Sequence, residues 1–190
     1  MRRIALTLVV LGSAALTACS GGGSVLNFGS NSTPDHILVT QQGQTNTPRV
    51  IAGTSIVLSA QAVKGSQNGT ISTNVFKWTA ALVTSGTYPV NALGGTKPCA
   101  TPSITIPPAS AVAYAPDYTA YLVVVDPTNP ANVTFAPPLT IPAPAGTTTG
   151  ILAGSTATNA YCAVVNASTP DGLTTGSVIV AITSPQSPQQ

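Results

Sequence analysis

Thr54-Ser-Ile-Val-Leu-Ser-Ala-Gln-Ala-Val63 decides how this chain is to be read. In an extended backbone Ile56, Leu58, Ala60 and Ala62 fall on one side, and Val57, Ser59, Gln61 and Val63 on the other. Successive side chains of a strand point to opposite faces, so this alternation describes a strand with one covered face. The stretch 74–83 repeats the pattern. Phe76, Trp78, Ala80 and Leu82 alternate there with Val75, Lys77, Thr79 and Ala81. Lys77 and Thr79 belong in water, which assigns the Trp78 side to the core.

Outward from these two stretches, strands are expected at 36–41, 110–115, 118–125, 157–166 and 176–183. Short ones are expected at Val133-Thr-Phe135 and Leu139-Thr-Ile141. Pro116-Asp117 is read as the turn of a hairpin joining 110–115 to 118–125, because proline presets the turn angle. The run Tyr121-Leu-Val-Val-Val125 has no polar interruption, as in a strand buried on both faces. Thr169-Pro-Asp-Gly172 is a turn between the last two strands. Helix is disfavoured: the chain holds 17 Gly, 17 Pro and no Glu, and the best helix formers are scarce. Val, Ile and Thr in short runs broken by Gly, Pro, Asn and Asp predict an all-β sandwich or barrel.

The N-terminus reads differently. Arg2 and Arg3 precede an apolar stretch from Ile4 to Leu11, then small residues, then Leu16-Thr-Ala-Cys19. The apolar part is too short to span a bilayer, which takes about 20 residues. Residues 1–18 are therefore set aside as a signal peptide. Leu16-Thr-Ala-Cys19 resembles the lipobox of bacterial lipoproteins. That resemblance implies cleavage before Cys19, a diacylglycerol joined to its sulfur as a thioether and, usually, a palmitate-type acyl chain on the new amino group. Two or three chains anchor stably where one holds only marginally. An ordinary secretory signal cut near Ala18 is the alternative. Ser20, in place of an Asp, leans towards the outer membrane if the cell is Gram-negative; the expected location is the cell envelope. Residues 19–34 are a Gly/Ser-rich tether, 35–184 one domain of ordinary size, and 185–190 a Pro/Gln tail with nothing to bury.

Once the leader is gone, Arg49, Lys64, Lys77 and Lys97 stand against Asp35, Asp117, Asp126 and Asp171, four against four. The formal charge of +2 thus belongs to the leader, and the domain has no basic footprint for nucleic acid. With Cys19 committed to lipid, Cys99 and Cys162 remain, an even pair in an oxidising compartment. One disulfide is expected, with two free buried thiols as the alternative.

The order of features also resembles a bacterial immunoglobulin-like domain. Gly53-Thr-Ser-Ile-Val-Leu-Ser-Ala-Gln-Ala-Val63 is similar to its second strand and Phe76-Lys-Trp-Thr79 to its third. Asn159-Ala-Tyr-Cys-Ala-Val-Val165 and Gly176-Ser-Val-Ile-Val-Ala-Ile182 are similar to its closing pair. The resemblance implies an antiparallel sandwich. Two departures stand out: 54–63 holds no cysteine, and Tyr161 adjoins Cys162 instead of preceding it by two.

No catalytic set is expected. His36 is the only histidine, and no Gly-x-Ser-x-Gly elbow accompanies it. Asp117, Asp126 and Asp171 each sit beside Pro or Gly, where carboxylates cap turn amides. No clustered acids suggest calcium, and no His/Cys set suggests zinc or copper. No cofactor or metal is therefore expected. Tyr114, Tyr118 and Tyr121 bracket Pro116-Asp117 and are candidate ligand contacts, able to stack a sugar or meet a protein; the plainer reading has them covering a sandwich edge. The expected role is a non-catalytic envelope module, held to the membrane by lipid and binding a protein or glycan. A structural accessory subunit of an envelope assembly is the alternative, and a hydrolase a distant third.

Overall fold

A computed structural model describes residues 34–42, 44, 47–64, 69–71, 75–90, 95–106, 110–128, 130–145, 147 and 160–185. In chain order the strands are β1 His36–Gln41, β2 Arg49–Ile51, β3 Ile56–Lys64, β4 Gly69–Ile71, β5 Lys77–Leu82, β6 Thr87–Pro89 and β7 Thr96–Pro98. They continue as β8 Ser103–Ile106, β9 Ser110–Ala113, β10 Leu122–Val124, β11 Asn132–Phe135, β12 Tyr161–Ser168 and β13 Thr175–Thr183. Among the described residues the one helical element is a 3-10 turn, Thr119–Tyr121.

The strands make an all-β sandwich. One sheet runs β1-β3-β11-β10, antiparallel throughout, with β4 also on β3. The other runs β2-β13-β12-β5, antiparallel except where β2 lies parallel to β13. Leu58, Val133 and Phe135 from the first sheet meet Ala80, Leu82, Ala163, Val165, Val180 and Ile182 from the second in one core. The alternation in 54–63 holds as far as Ala62: Leu58, Ala60 and Ala62 are buried and Gln61 is exposed, but Val63, expected on the Gln61 side, is buried as well. In β5 the Lys77 and Thr79 side faces water. Trp78, on the other side, packs against two core clusters and donates its indole N–H to the Pro130 carbonyl at 3.0 Å. Its one polar atom is thereby satisfied.

The two N-terminal strands serve different sheets, β1 pairing with β3 in the first and β2 with β13 in the second. The two layers make a close approach where β1 meets β13. A Cβ on Gly176 would lie 1.9 Å from the Ile37 carbonyl oxygen, so only glycine allows the backbones to approach this far.

A third layer covers part of the second sheet. The β6–β7 hairpin puts Tyr88 and Cys99 against Ala160, Cys162 and Ala181 on the outer face. Cys99 and Cys162 are joined by a disulfide, with Cα atoms 5.6 Å apart and a sequence separation of 63. Closing a loop of that length stabilises by about 4 kcal/mol in the chain-entropy picture. Arg49 assists by donating to the carbonyls of Pro89 and Val90.

Three strand expectations are corrected. No hairpin joins 110–115 to 118–125; β9 turns back onto β8. Residues 116–119 instead lie along the open edge of β5, where Leu82 N donates to the Pro116 carbonyl at 3.1 Å and Tyr118 N to the Ala80 carbonyl at 2.7 Å. An edge strand offers unpaired donors and acceptors, and this segment takes them up. Second, the run 121–125 is not buried on both faces. Tyr121 closes the 3-10 turn, and β10 is the last strand of its sheet, with Val123 61% exposed. Third, 139–141 is reduced to a single β-bridge residue, Thr140, although Ile141 still reaches the core. Expectations for residues 1–33, 157–159 and 186–190 lie outside the described residues.

Candidate functional site

Four of the five tyrosines gather at the β5 edge and the core beneath it. The segment that seals β5 carries Tyr118 inward, because its backbone is tied to Ala80 and Leu82. Thr119 reinforces the seal, its hydroxyl accepting from Ala80 N at 3.1 Å. The Tyr118 ring is fully buried, edge-on to Tyr121 at 5.2 Å between centroids and tilted against Phe135 at 6.5 Å. Tyr114 and Tyr121 are half-buried against the same core, which also holds Tyr161. The candidate contacts Tyr114, Tyr118 and Tyr121 do come together, but Tyr118 is a core residue and the other two are half-buried at the sandwich edge.

Among the described residues the Tyr118 hydroxyl has no hydrogen-bond partner. An unpaired buried hydroxyl costs about 1–3 kcal/mol. Burial, followed by the neighbouring phenols of Tyr121, Tyr114 and Tyr161, pushes its ionisation well above the ordinary tyrosine range. Tyr118 is thus a neutral packing group throughout the physiological range.

Three aspartates are engaged in turns. Asp117 accepts from Thr119 N at 2.7 Å, and Asp126 from Thr128 N at 2.8 Å and its hydroxyl at 2.7 Å. Asp171 accepts from Leu173 N at 3.1 Å and from the Thr169 hydroxyl. Hydrogen bonds from Thr119 hold the Asp117 carboxyl below its ordinary value of 3.8. Those from Thr169 and Leu173 do the same for Asp171, since an acceptor is better when ionised. His36 is exposed at the start of β1, opposite Val63. Among the described residues no three His, Cys, Asp or Glu side chains group as metal ligands would.

Cys99 and Cys162 are joined as described, and Cys19 lies outside the described residues. Two surface features were not anticipated. One is the free edge of β10, where Val123, Val124 and Val125 are 61%, 40% and 55% exposed. The other is the end of the sandwich where the chain enters. There Leu173, just after Gly172 in an otherwise polar turn, is 78% exposed, and Val75, ahead of β5, is 55% exposed. The Leu173 signal was present in sequence, as an aliphatic residue at the tip of a turn. No helix among the described residues is long and apolar enough to cross a membrane. Neither a protein-family model nor a curated protein nor a solved structure matches the chain.

Proposed function

We propose that this chain is a lipid-anchored protein of the bacterial cell envelope, presenting an immunoglobulin-like sandwich as a non-catalytic binding module for protein or glycan partners. One observation carries the reading. A charged-then-apolar leader closes on Leu16-Thr-Ala-Cys19, and the described domain begins fifteen residues beyond that cysteine, at Pro34. The strand order supports the fold family: β1-β3-β11-β10 facing β5-β12-β13 corresponds to the ABED and CFG sheets of immunoglobulin-like domains. The disulfide suits an oxidising compartment. The engagement of Asp117, Asp126 and Asp171 in turns supports a binding role over hydrolysis.

In this reading the anchor supplies position. Tethering raises the effective concentration of the domain against neighbours in the same membrane. Cys19→Ala is expected to leave the domain folded and release it from washed membranes; a mutant that stays in the membrane fraction contradicts the anchor.

The open β10 edge favours a second reading, an accessory subunit docked permanently in an envelope assembly. Exposed valines in and just beyond a strand that, among the described residues, is paired on one side only form a ready template for strand addition. Crosslinking in intact cells followed by mass spectrometry separates the two. One partner in fixed proportion favours the subunit, and varied or glycan partners favour the display module.

A further inference from the structure

The chain enters the sandwich beside the β12–β13 turn. The Thr174 hydroxyl donates to the Pro34 carbonyl at 3.0 Å, and Asp35 N donates to the Val63 carbonyl at 2.9 Å. From that turn β13 runs nine residues, from Thr175 to Thr183, a length of roughly 30 Å. It finishes at the opposite end, where Ala52 N donates to the Thr183 carbonyl at 2.9 Å. The two ends of the sandwich are therefore distinguishable, and only one receives the segment leading from Cys19.

That entrance end carries Leu173 at its tip and Val75 beside it, since the Lys77 ammonium donates to the Pro170 carbonyl of the same turn. The turn does not need the Leu173 side chain. Its hydrogen bonds run between backbone groups, Thr169 and Asp171, and Leu173 contributes only its amide. The described charged groups towards this end are Asp35, Asp126 and Asp171 against Lys64 and Lys77, one acid in excess. From Cys19 to Pro34 the chain can extend at most about 50 Å, so a lipid on Cys19 keeps this end within that distance of the bilayer.

We infer that the entrance end docks on the lipid bilayer, Leu173 entering the interface with Val75 beside it. This rests on the lipid-anchor reading and goes beyond it by assigning a membrane-facing surface. Apolar contact is the driving term, and with no basic excess at this end the docking does not draw on anionic lipid. The opposite end, with Leu139 over Gly53 and the disulfide-held hairpin, is turned outward to partners.

The test uses the full lipidated protein reconstituted in phosphatidylcholine vesicles, with an environment-sensitive fluorophore on one introduced thiol at a time. Leu173→Cys and Val75→Cys report the entrance end, and Leu139→Cys reports the far end. Iodide quenching is expected to fall several-fold at the first two sites on reconstitution and to stay unchanged at the third. Adding Leu173→Asp to Val75→Cys is expected to restore quenching while the protein still floats with the vesicles. Equal quenching at 173 and 139 in floating protein overturns the docking and leaves the anchor standing. Protein that does not float with the vesicles overturns both.

Discussion

Two aliphatic runs of similar composition meet opposite fates. Val178-Ile-Val-Ala-Ile182 lies in β13, between β12 and β2, and Val180, Ala181 and Ile182 are fully buried. Leu122-Val-Val-Val125 lies in and just beyond β10, with one neighbour strand, and its last three residues are exposed. What separates them is neighbours. β13 has the core beneath it and the disulfide-held hairpin over one part of its outer face. β10 follows a 3-10 turn at the rim and, among the described residues, is paired only with β11. Hydropathy records what a strand can bury, and topology decides whether anything arrives to cover it.

The largest expected effect comes from removing the outer cover. Cys99→Ala combined with Cys162→Ala should lower unfolding free energy by about 4 kcal/mol, read from urea titration, while leaving hydrogen exchange at β10 unchanged. A loss confined to a few tenths of a kcal/mol would show that the hairpin holds itself in place. Next is the crossing of the two sheets. Gly176→Ala should cost on the order of 3 kcal/mol through overpacking, because the new methyl group collides with the Ile37 carbonyl. An unchanged midpoint would mean that β1 moves aside freely.

The direct contrast between the runs is smaller. Ile182→Val should cost about 1 kcal/mol, whereas Val123→Thr should change stability by no more than about 0.5 kcal/mol. Equal costs would place β10 against a cover that has gone unrecognised. The smallest effect concerns pH. The Asp171 carboxyl is held below its ordinary 3.8 by Thr169 and Leu173. Its contribution is therefore complete above that value and is lost as the pH falls through the lower folded value. The Leu173 amide should lose exchange protection over that acidic window and recover it on return to pH 5. Protection independent of pH would contradict the capping role.

The strands around the core were legible because each satisfies a local rule. Gln61 and Lys77 mark the wet faces of β3 and β5, and Thr169-Pro-Asp-Gly172 fixes the β12–β13 hairpin, with Gly172 at φ +75°. What was not legible depends on distant partners. Pro116-Asp117 has the chemistry of a hairpin turn, yet it serves as a seal because β5 presents an open edge that no local pattern reveals. The same seal turns Tyr118 from a candidate contact into a core ring. The parallel pairing of β2 with β13 joins residues more than 100 positions apart, and nothing within three residues of β2 announces it. Of the candidate site residues, the Cys99–Cys162 pairing was readable from compartment and parity, whereas the burial of the tyrosines was not.

The tethered-sandwich account stands most directly on the chemistry of Cys19. Mass spectrometry of the N-terminal peptide from detergent-extracted protein should find a chain that begins at Cys19 and carries a diacylglycerol thioether and an acylated amino group. A peptide cut near Ala18 with a free Cys19 thiol, or one still starting at Met1, would contradict it.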